Sequence, residues 1–170
     1  SVKLYSNVSI EDVDLIRLDY QSRSSVALTK VLCKHHWKIN PEFIDAKPGF
    51  ENEIVDRKAN VVIGDRTFAL NGKFKHEYDL AQEWKNMTGL PFVFAAWVSY
   101  RQLDSEFVSS FNEVLAKGVA NIEQAVQDKK DSLQIPANEV LHYLKNRISY
   151  QLDDDKLKAM KLFLGYLSQF

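Results

Sequence analysis

Residues 78–97, YDLAQEWKNMTGLPFVFAAW, constrain the fold more strongly than any other segment of the chain. The first half predicts a helix over 80–87, and Gly89 predicts the turn that ends it. The almost wholly apolar run that follows predicts a strand over 92–98. Because such a strand must be covered on both faces, the segment predicts a parallel or mixed sheet with helices on each side.

Strands and helices alternate in the residues before this segment. Short apolar runs predict strands over 2–5, 15–18, 43–46 and 60–63. Apolar residues at helical spacing predict a helix over 25–37, and a shorter amphipathic stretch predicts another over 51–58. This alternation is typical of α/β folds, so we expect an α/β lobe over residues 1–98.

The remainder of the chain has only helical periodicity. Apolar residues recur every three to four positions in three successive stretches. Their predicted starts are Asp104 or Ser105, Pro136 and Asp153, because acids, serines and prolines favour helix N-termini. Residues 99–170 are therefore a predicted helical segment, which packs on itself or on a sheet outside this chain.

The composition limits the class of protein. The chain is 45% hydrophobic and 26% charged, so we expect a folded core. A net charge of −1 provides no basic surface for nucleic acid, and no apolar run approaches the roughly 20 residues of a membrane span. Cys33 has no second cysteine to pair with, which favours a reducing, cytoplasmic compartment.

A serine-rich turn is the first candidate for chemistry. Ser22, Ser24 and Ser25 come just before or at the start of a predicted helix. The first amides of a helix have no partner within it, so such a turn can bind a carboxylate or a phosphate. The alternative is structural: one serine caps the helix and the others are ordinary loop residues.

The end of a buried strand is the second candidate. Gly64 and Asp65 follow the apolar run at 60–63. Ligands of open α/β sheets bind at the carboxyl ends of the strands, and a glycine there lets a ligand or another backbone come close. Alternatively, Asp65 caps a short helix that begins near Arg66, and the two roles are compatible.

The pattern of histidines and glycines predicts no metal and no nucleotide cofactor. His35 and His36 are adjacent, so on a helix they point about 100° apart and do not share a metal ion. The chain has no zinc-ligand spacing, no P-loop and no dinucleotide-binding glycine motif. Cys33 lies within a predicted helix, where a buried thiol is the expected form.

Four segments, in order, resemble the chorismate dehydratase family of menaquinone biosynthesis, the enzymes that open the futalosine route. These segments are SVKLYS at 1–6, the serine turn at 22–25, IGD at 63–65 and the long motif at 78–97. The resemblance implies a fold like the type 2 periplasmic binding proteins, with one α/β lobe and C-terminal helices that belong to the other lobe. It also implies that chorismate loses water to give 3-[(1-carboxyvinyl)oxy]benzoate, without a metal or organic cofactor.

The resemblance assigns roles to particular residues. Ser1 matches a serine of the family's cleft, so Ser1 and Asp65 are the predicted catalytic residues. Ser22, Ser24, Ser25 and Gly64 are the predicted substrate-binding residues. Chorismate carries two carboxylates, so the resemblance and the physical argument agree at the serine turn. The base is left open: Asp65 is a candidate by location, and the enolpyruvyl carboxylate of the substrate is another.

The chain departs from the family at its start. Family members have a further N-terminal stretch that builds most of the first lobe, whereas this chain opens on the motif serine, Ser1. Removal of an initiator methionine is another origin of such a start. With one wall of the cleft absent, we expect the 170-residue chain to lack dehydratase activity, to expose an apolar patch and to associate. A homodimer is one form of that association.

Three other functions stay open at this stage. A solute-binding protein would use the same cleft to capture a small carboxylate without reacting. The paralogous 1,4-dihydroxy-6-naphthoate synthase shares the architecture, although the TGLPFVFAAW run resembles the dehydratase more closely. An interaction module built on the helical segment is the third, and only the amphipathic pattern favours it.

Overall fold

The computed structural model describes all 170 residues, from Ser1 to Phe170. It is a mixed α/β protein, as predicted, and the chain divides into two compact units. The sheet unit comprises Ser1–Ala96 and Asp153–Phe170, and the helical unit comprises Trp97–Leu152. None of the helices is both long and apolar enough to cross a bilayer.

A five-stranded sheet forms the centre of the sheet unit. Its strands are β1 (Val2–Ser6), β2 (Leu15–Leu18), β3 (Glu42–Asp45), β4 (Lys58–Ile63) and β5 (His76–Asp79). They are ordered β3-β2-β4-β1-β5. β2 runs parallel to β3 and β4, whereas β1 runs antiparallel to β4 and β5. The amino end of β1 therefore lies beside the carboxyl ends of the other four strands, at what we call the carboxyl edge.

Two helices that follow β2 and β5 begin and end where local chemistry favours it. α1 (Arg23–Leu32) starts at Ser22, continues as a π-helical turn over Cys33–Trp37 and stops at Lys38, whose φ is 56°. α2 (Leu80–Thr88) is capped by Asp79 and ends at Gly89, whose φ is 75°. The predicted helices over 25–37 and 80–87 are thus confirmed.

The sheet has an apolar core on each face. The larger core lies under α1 and α2, and its fully buried side chains include Leu4, Ile16, Leu28, Val61 and Trp84. The last helix of the chain, α6 (Asp154–Leu167), also packs there, with the ring of Phe163 5.8 Å from that of Trp84. The smaller core on the opposite face contains Tyr5, Phe50, Val62 and Leu70.

The predicted strand over 92–98 is wrong. This segment has no regular secondary structure. The rings of Phe92 and Phe94 lie 4.7 Å apart, and Phe92 also contacts Trp84 and Phe163. Trp97 is 79% exposed. The apolar run therefore buries its first aromatic rings against helices instead of pairing in the sheet.

Two further differences lie at the margins of the sheet. The predicted helix over 51–58 is wrong: a single 3-10 turn at Phe50–Asn52 is followed by a loop that leads into β4. β5 was not predicted, because its sequence HEYD is polar and lacks strand alternation. It occupies the edge position beside β1, where a half-buried polar strand is tolerated.

The helical unit contains three helices, α3 (Ser105–Ala120), α4 (Ile122–Lys129) and α5 (Ala137–Asn146). Asp104 caps α3 by accepting a hydrogen bond from the Phe107 N–H at 2.7 Å, which settles the choice between Asp104 and Ser105. The long periodic stretch after it is two helices, because the backbone breaks at Asn121. α4 and α5 pack together, and Lys145 pairs with Glu123 at 2.5 Å.

The compact units divide the chain differently from the predicted segments 1–98 and 99–170. α6 joins the sheet unit because its aromatic face packs on α1 and α2. Asp153 caps α6 by accepting a hydrogen bond from the Lys156 N–H at 3.0 Å, as its position predicted. Whether residues 99–170 return to another lobe stays a prediction.

Candidate functional site

The carboxyl edge brings the three predicted site segments together. Ser1 stands at the amino end of β1, Gly64 and Asp65 follow β4, and the serine turn follows β2. The Gly64 N–H donates to the Ser1 carbonyl at 2.8 Å, so two of these segments are directly bonded. The chain thus gathers residues that are far apart in sequence at one end of the sheet.

The serine turn at 22–25 and the Gly64–Asp65 tip, which we call the two walls of the crevice, flank a reversal in the topology of the sheet. From the end of β2 the chain passes to α1, which covers the larger core. From the end of β4 it passes to the 3-10 helix Gly64–Leu70, whose Leu70 lies in the smaller core on the opposite face. Adjacent strands whose connections leave to opposite faces leave a crevice between them, which is where open α/β sheets bind ligands.

Hydrogen bonds hold the serine turn in place. Ser22 Oγ accepts from the Ser25 N–H at 3.1 Å and donates to Ser25 Oγ at 2.7 Å. Ser24 Oγ donates to the Phe94 carbonyl at 2.9 Å. Ser22 is therefore the helix cap, as the structural alternative predicted, and Ser25 is 1% exposed. Anion binding by this turn stays a prediction.

The tip of β4 is more open. Gly64 has a φ of 70°, a conformation that favours glycine, and both Gly64 and Asp65 are exposed. The N-cap position of the 3-10 helix belongs to Ile63, so the alternative role of Asp65 as the cap is wrong. The carboxylate of Asp65 is thus presented to solvent at the carboxyl edge.

Ser1 is linked to an acid that sequence reasoning did not single out. Its hydroxyl donates to Asp79 Oδ2 at 3.3 Å. The other oxygen, Asp79 Oδ1, accepts from the Ala81 and Gln82 N–H groups and so caps α2. Asp79 belongs to the Tyr-Asp-Leu motif at the start of residues 78–97, and that position was the available signal.

Asp19 is the second acid that sequence reasoning missed. It is 1% exposed. Asp19 Oδ1 accepts from the Gln21 N–H at 2.9 Å, while Oδ2 accepts from the Ile63 N–H at 3.0 Å and from Arg66 Nη2 at 2.6 Å. The available signal in the sequence is an acid at the end of a buried strand, which is the same signal that predicts a role for Asp65.

Arg66 extends this arrangement into a charged network. Its Nη1 donates to Glu51 Oε1 at 2.6 Å, and its guanidinium lies 5.4 Å from the ring of Tyr20. Burial opposes ionisation of both partners. The hydrogen bonds and charges outweigh burial, so the pKa of Glu51 is lowered and the pKa of Arg66 is raised. Both groups are therefore charged at neutral pH.

A groove of about 460 Å³ lies beside the serine turn. The residues that line it include Asp19, Tyr20, Ser22, Arg23, Lys30 and Phe170. Its volume lies within the range of small-molecule sites, ~300–1,000 Å³. The lining combines the cationic side chains of Arg23 and Lys30 with the acidic side chains of Asp19 and Asp45, and Ser22 is the one predicted site residue in it.

His36 and Cys33 have structural surroundings, and His35 packs its ring 4.6 Å from that of Tyr166 while its buried Nε2 has no hydrogen-bond partner. His36 Nε2 and Trp37 Nε1 both contact Glu83 Oε2, at 2.9 and 3.2 Å. Cys33 is buried, as predicted, and burial raises the pKa of its thiol to about 12. No group of three or more histidine, cysteine, aspartate or glutamate side chains is arranged to hold a metal ion.

A mixed α/β fold with a polar crevice at a topological switch point is the arrangement in which open α/β sheets bind ligands. Over residues 1–169 the chain matches a family described as menaquinone biosynthesis, and it belongs to that family.

A curated relative gives a more specific comparison. The chain is 28% identical over 115 residues to a protein named chorismate dehydratase from Campylobacter jejuni subsp. jejuni serotype O:23/36 (strain 81-176). The alignment covers 66% of this chain and 50% of the relative. The chain thus spans about half the length of the curated relative that it matches.

Proposed function

We propose that this chain forms one half of the active-site cleft of a chorismate dehydratase, which converts chorismate to 3-[(1-carboxyvinyl)oxy]benzoate and water. The observation that carries the proposal is the meeting of Ser1, the serine turn and the Gly64–Asp65 tip at one edge of the sheet. Membership of the menaquinone biosynthesis family and the name of the relative support the choice of reaction.

The substrate is a small dianion, and the half of the cleft that this chain forms offers groups that suit it. In this proposal the N–H groups at the start of α1 and the partly exposed hydroxyls of Ser22 and Ser24 are donors for one carboxylate, and the buried Ser25 contributes by holding Ser22 in place. Gly64 leaves room for the ring to approach the backbone. In this proposal the Ser1 hydroxyl, near Asp79, orients the reacting part of the ring.

The reaction removes one ring proton and one hydroxide as water, and the product ring is aromatic. A base must take the proton, and the leaving hydroxyl must receive one. Asp65 or the enolpyruvyl carboxylate of the substrate takes the first proton in this proposal. Since chorismate can also lose pyruvate, the enzyme selects the outcome chiefly by holding the ring in one orientation.

The proposed architecture is a two-lobed fold like the type 2 periplasmic binding proteins. Residues 1–98, with α6 packed on them, would form one lobe, and the other helices of 99–170 would return to the second lobe. The other half of the cleft would then be needed for turnover, so the 170-residue chain alone is expected to bind chorismate weakly and not dehydrate it. We place this enzyme in the cytoplasm, and a homodimer is the proposed assembly.

The proposal can be tested on this chain by titrating isotope-labelled protein with chorismate and following backbone amide shifts. We expect saturable shifts at residues 22–25 and 64–65. Ser24→Ala should weaken binding, whereas Ser109→Ala, at an exposed serine of α3, should not. Saturable shifts confined to other segments, or no shifts, would contradict the proposed site.

The reaction itself is tested by product analysis. Chorismate incubated with the 170-residue chain should remain unchanged, as judged by mass spectrometry of the mixture. Turnover at an ordinary enzymatic rate, about 1–10³ s⁻¹, would show that the other half of the cleft is not needed. Tight binding without product, in a longer chain that includes both halves of the cleft, would favour a solute-binding protein.

A further inference from the structure

We propose that Asp19 is a positioning residue that sets the spacing between the two walls of the crevice. The inference rests on the proposed function for its ligand, chorismate, but its structural part does not need that ligand. It assigns a role to a residue that lies outside the predicted site residues.

The bonding pattern of Asp19 carries the inference. Its carboxylate accepts backbone hydrogen bonds from Gln21 and Ile63. Gln21 directly precedes the serine turn, and Ile63 directly precedes Gly64. One carboxylate therefore anchors the last residue before each wall, with one oxygen assigned to each.

Burial distinguishes Asp19 from the other acids paired with arginine. The side chain of Asp19 has no exposed surface, whereas that of Asp14, which pairs with Arg57 at 2.6 Å, is 67% exposed. A buried carboxylate is stable only with several donors, and here Arg66 supplies the third. The bond from Gln21 is local to the turn that carries Asp19, whereas the bonds from Ile63 and Arg66 come from the end of β4 and the helix after it, so displacement of either wall would leave a buried charge with fewer donors.

Arg66 makes the anchor rigid. It bridges Asp19 and Glu51, and Gln21 Oε1 also accepts from its Nη2 at 2.9 Å. The loop that precedes β4 is thereby tied to both walls. We infer that the donors of the serine turn and the exposed Asp65 reach a common ligand because this network fixes their separation.

The direct test uses the wild-type chain without ligand. A long-range HNCO experiment detects couplings across hydrogen bonds to the side-chain carboxyl carbon of Asp19. Couplings from both the Gln21 and Ile63 amides are expected. Absence of either coupling would overturn the inference whatever the protein binds.

The second test compares Asp19→Asn with the matched variant Asp14→Asn, which also neutralises an aspartate paired with arginine. In D19N the NH₂ group replaces one acceptor oxygen and the negative charge is lost, so the backbone bond on one side is broken and the bond on the other side is weakened. Amide exchange should rise about tenfold at both Gln21 and Ile63, and neither should change in D14N. A rise at only one wall, or at neither, would contradict the inference.

Chorismate binding separates positioning from stability. D19N should bind chorismate about tenfold more weakly than the wild-type chain under conditions where both proteins are folded. In D19N/E51Q/R66Q all three charges of the network are removed, so no ion is left unpaired, and resistance to urea should recover while affinity does not. Recovery of both would mean that Asp19 is only structural. If wild type binds no chorismate, the proposed function fails, and the two ligand-free tests still decide the role of Asp19.

Discussion

At the scale of single residues, the strongest constraint is the treatment of buried charge. Asp19, Arg66 and Glu51 form a chain of ion pairs at the carboxyl edge, where Asp19 has no exposed surface. Removing one partner of a buried pair leaves the other uncompensated, which costs far more than the pair itself contributes. This asymmetry lets the buried and exposed pairs be compared by substitution.

Asp19→Asn should lower the free energy of unfolding by about 3 kcal/mol, at the lower end for buried pairs because Arg66 is partly exposed. Urea denaturation followed by circular dichroism measures the change. Asp14→Asn is the control, and it should change stability little because its pair with Arg57 is exposed to solvent. Equal effects of the two substitutions would contradict the difference in burial.

The acid side of the stability profile should depend on Glu51. Although burial acts in the opposite direction, Arg66 and backbone donors lower the pKa of this carboxyl in the folded state. Its stabilisation is therefore fully present above the ordinary value of about 4.3 and is lost as pH falls through the lower folded value. Urea denaturation of wild type and Glu51→Gln between pH 7 and pH 3 checks this.

The difference in stability between the two proteins should be largest at pH 7 and should shrink as the solution is acidified below that ordinary value. Glu53→Gln, at an exposed glutamate of the same loop, is the matched control. A gap that stays constant down to pH 3, or one that widens, would exclude this role for Glu51.

Sequence reasoning found some residues of the site and missed others for a definable reason. The serine turn and the Gly64–Asp65 tip were found because helix starts and strand ends have local signatures. Asp19 and Asp79 were missed because their roles depend on partners far away in the chain, such as Ile63 and Ser1. No local pattern shows that two such partners will meet.

At the scale of helices and strands, boundaries follow local backbone chemistry. α2 ends where Gly89 adopts a left-handed conformation with a φ of 75°, and its N–H bonds to the Lys85 carbonyl at 2.8 Å. α3 contains a different glycine, Gly118, in ordinary helical conformation. Gly89 therefore has a backbone conformation that alanine disfavours, whereas Gly118 has one that alanine favours.

Gly89→Ala should destabilise the protein by about 1 kcal/mol, because alanine disfavours positive φ. Gly118→Ala should stabilise α3 by about 0.5–1 kcal/mol, because glycine weakens a helix interior. Neither new methyl group meets an atom within 4 Å, so packing does not obscure the comparison. Thermal unfolding of the two variants measures both effects, and shifts of the same sign would contradict the assigned conformations.

Helix starts were predictable, and the pairing of strands was less so. Asp104 and Asp153 accept backbone bonds at the first turns of α3 and α6, as their positions indicated. The apolar run at 92–98 resembled a buried strand, because hydrophobicity alone does not distinguish pairing in a sheet from aromatic packing on helices. β5 escaped notice for the converse reason, since its polar residues pair at an edge.

At the scale of the whole molecule, the helical unit leaves apolar surface uncovered. α3 has no buried residue although it carries the large apolar side chains Phe107, Val108, Val114, Leu115 and Val119. Val114 is 66% exposed. Contiguous apolar surface of this kind is typical of a face that another chain or segment covers.

The 170-residue chain should therefore associate and bind a hydrophobic dye. Light scattering across a concentration series and fluorescence of anilinonaphthalene sulfonate measure the two properties. Val114→Gln should reduce both, whereas Val55→Gln, at an exposed valine of the sheet unit, should not. A monodisperse monomer that binds no dye would contradict the prediction.

The global arrangement was only partly predictable from sequence. The change from alternating elements to helices alone predicted a division near residue 98, whereas the compact units also place α6 with the sheet. The destination of α6 was not predictable, because an amphipathic stripe shows that a face must be covered and not by what. Its aromatic contacts with Trp84 place it on the sheet unit.

The position of β1 has a consequence for synthesis of the chain. β1 is held between β4 and β5, whose residues are made much later than those of β1. Until Asp79 has been synthesised, β1 lacks one or both of the strands that it pairs with in the folded sheet. Closure of the sheet therefore has high contact order, a feature associated with slow folding and with a need for protection while translation continues.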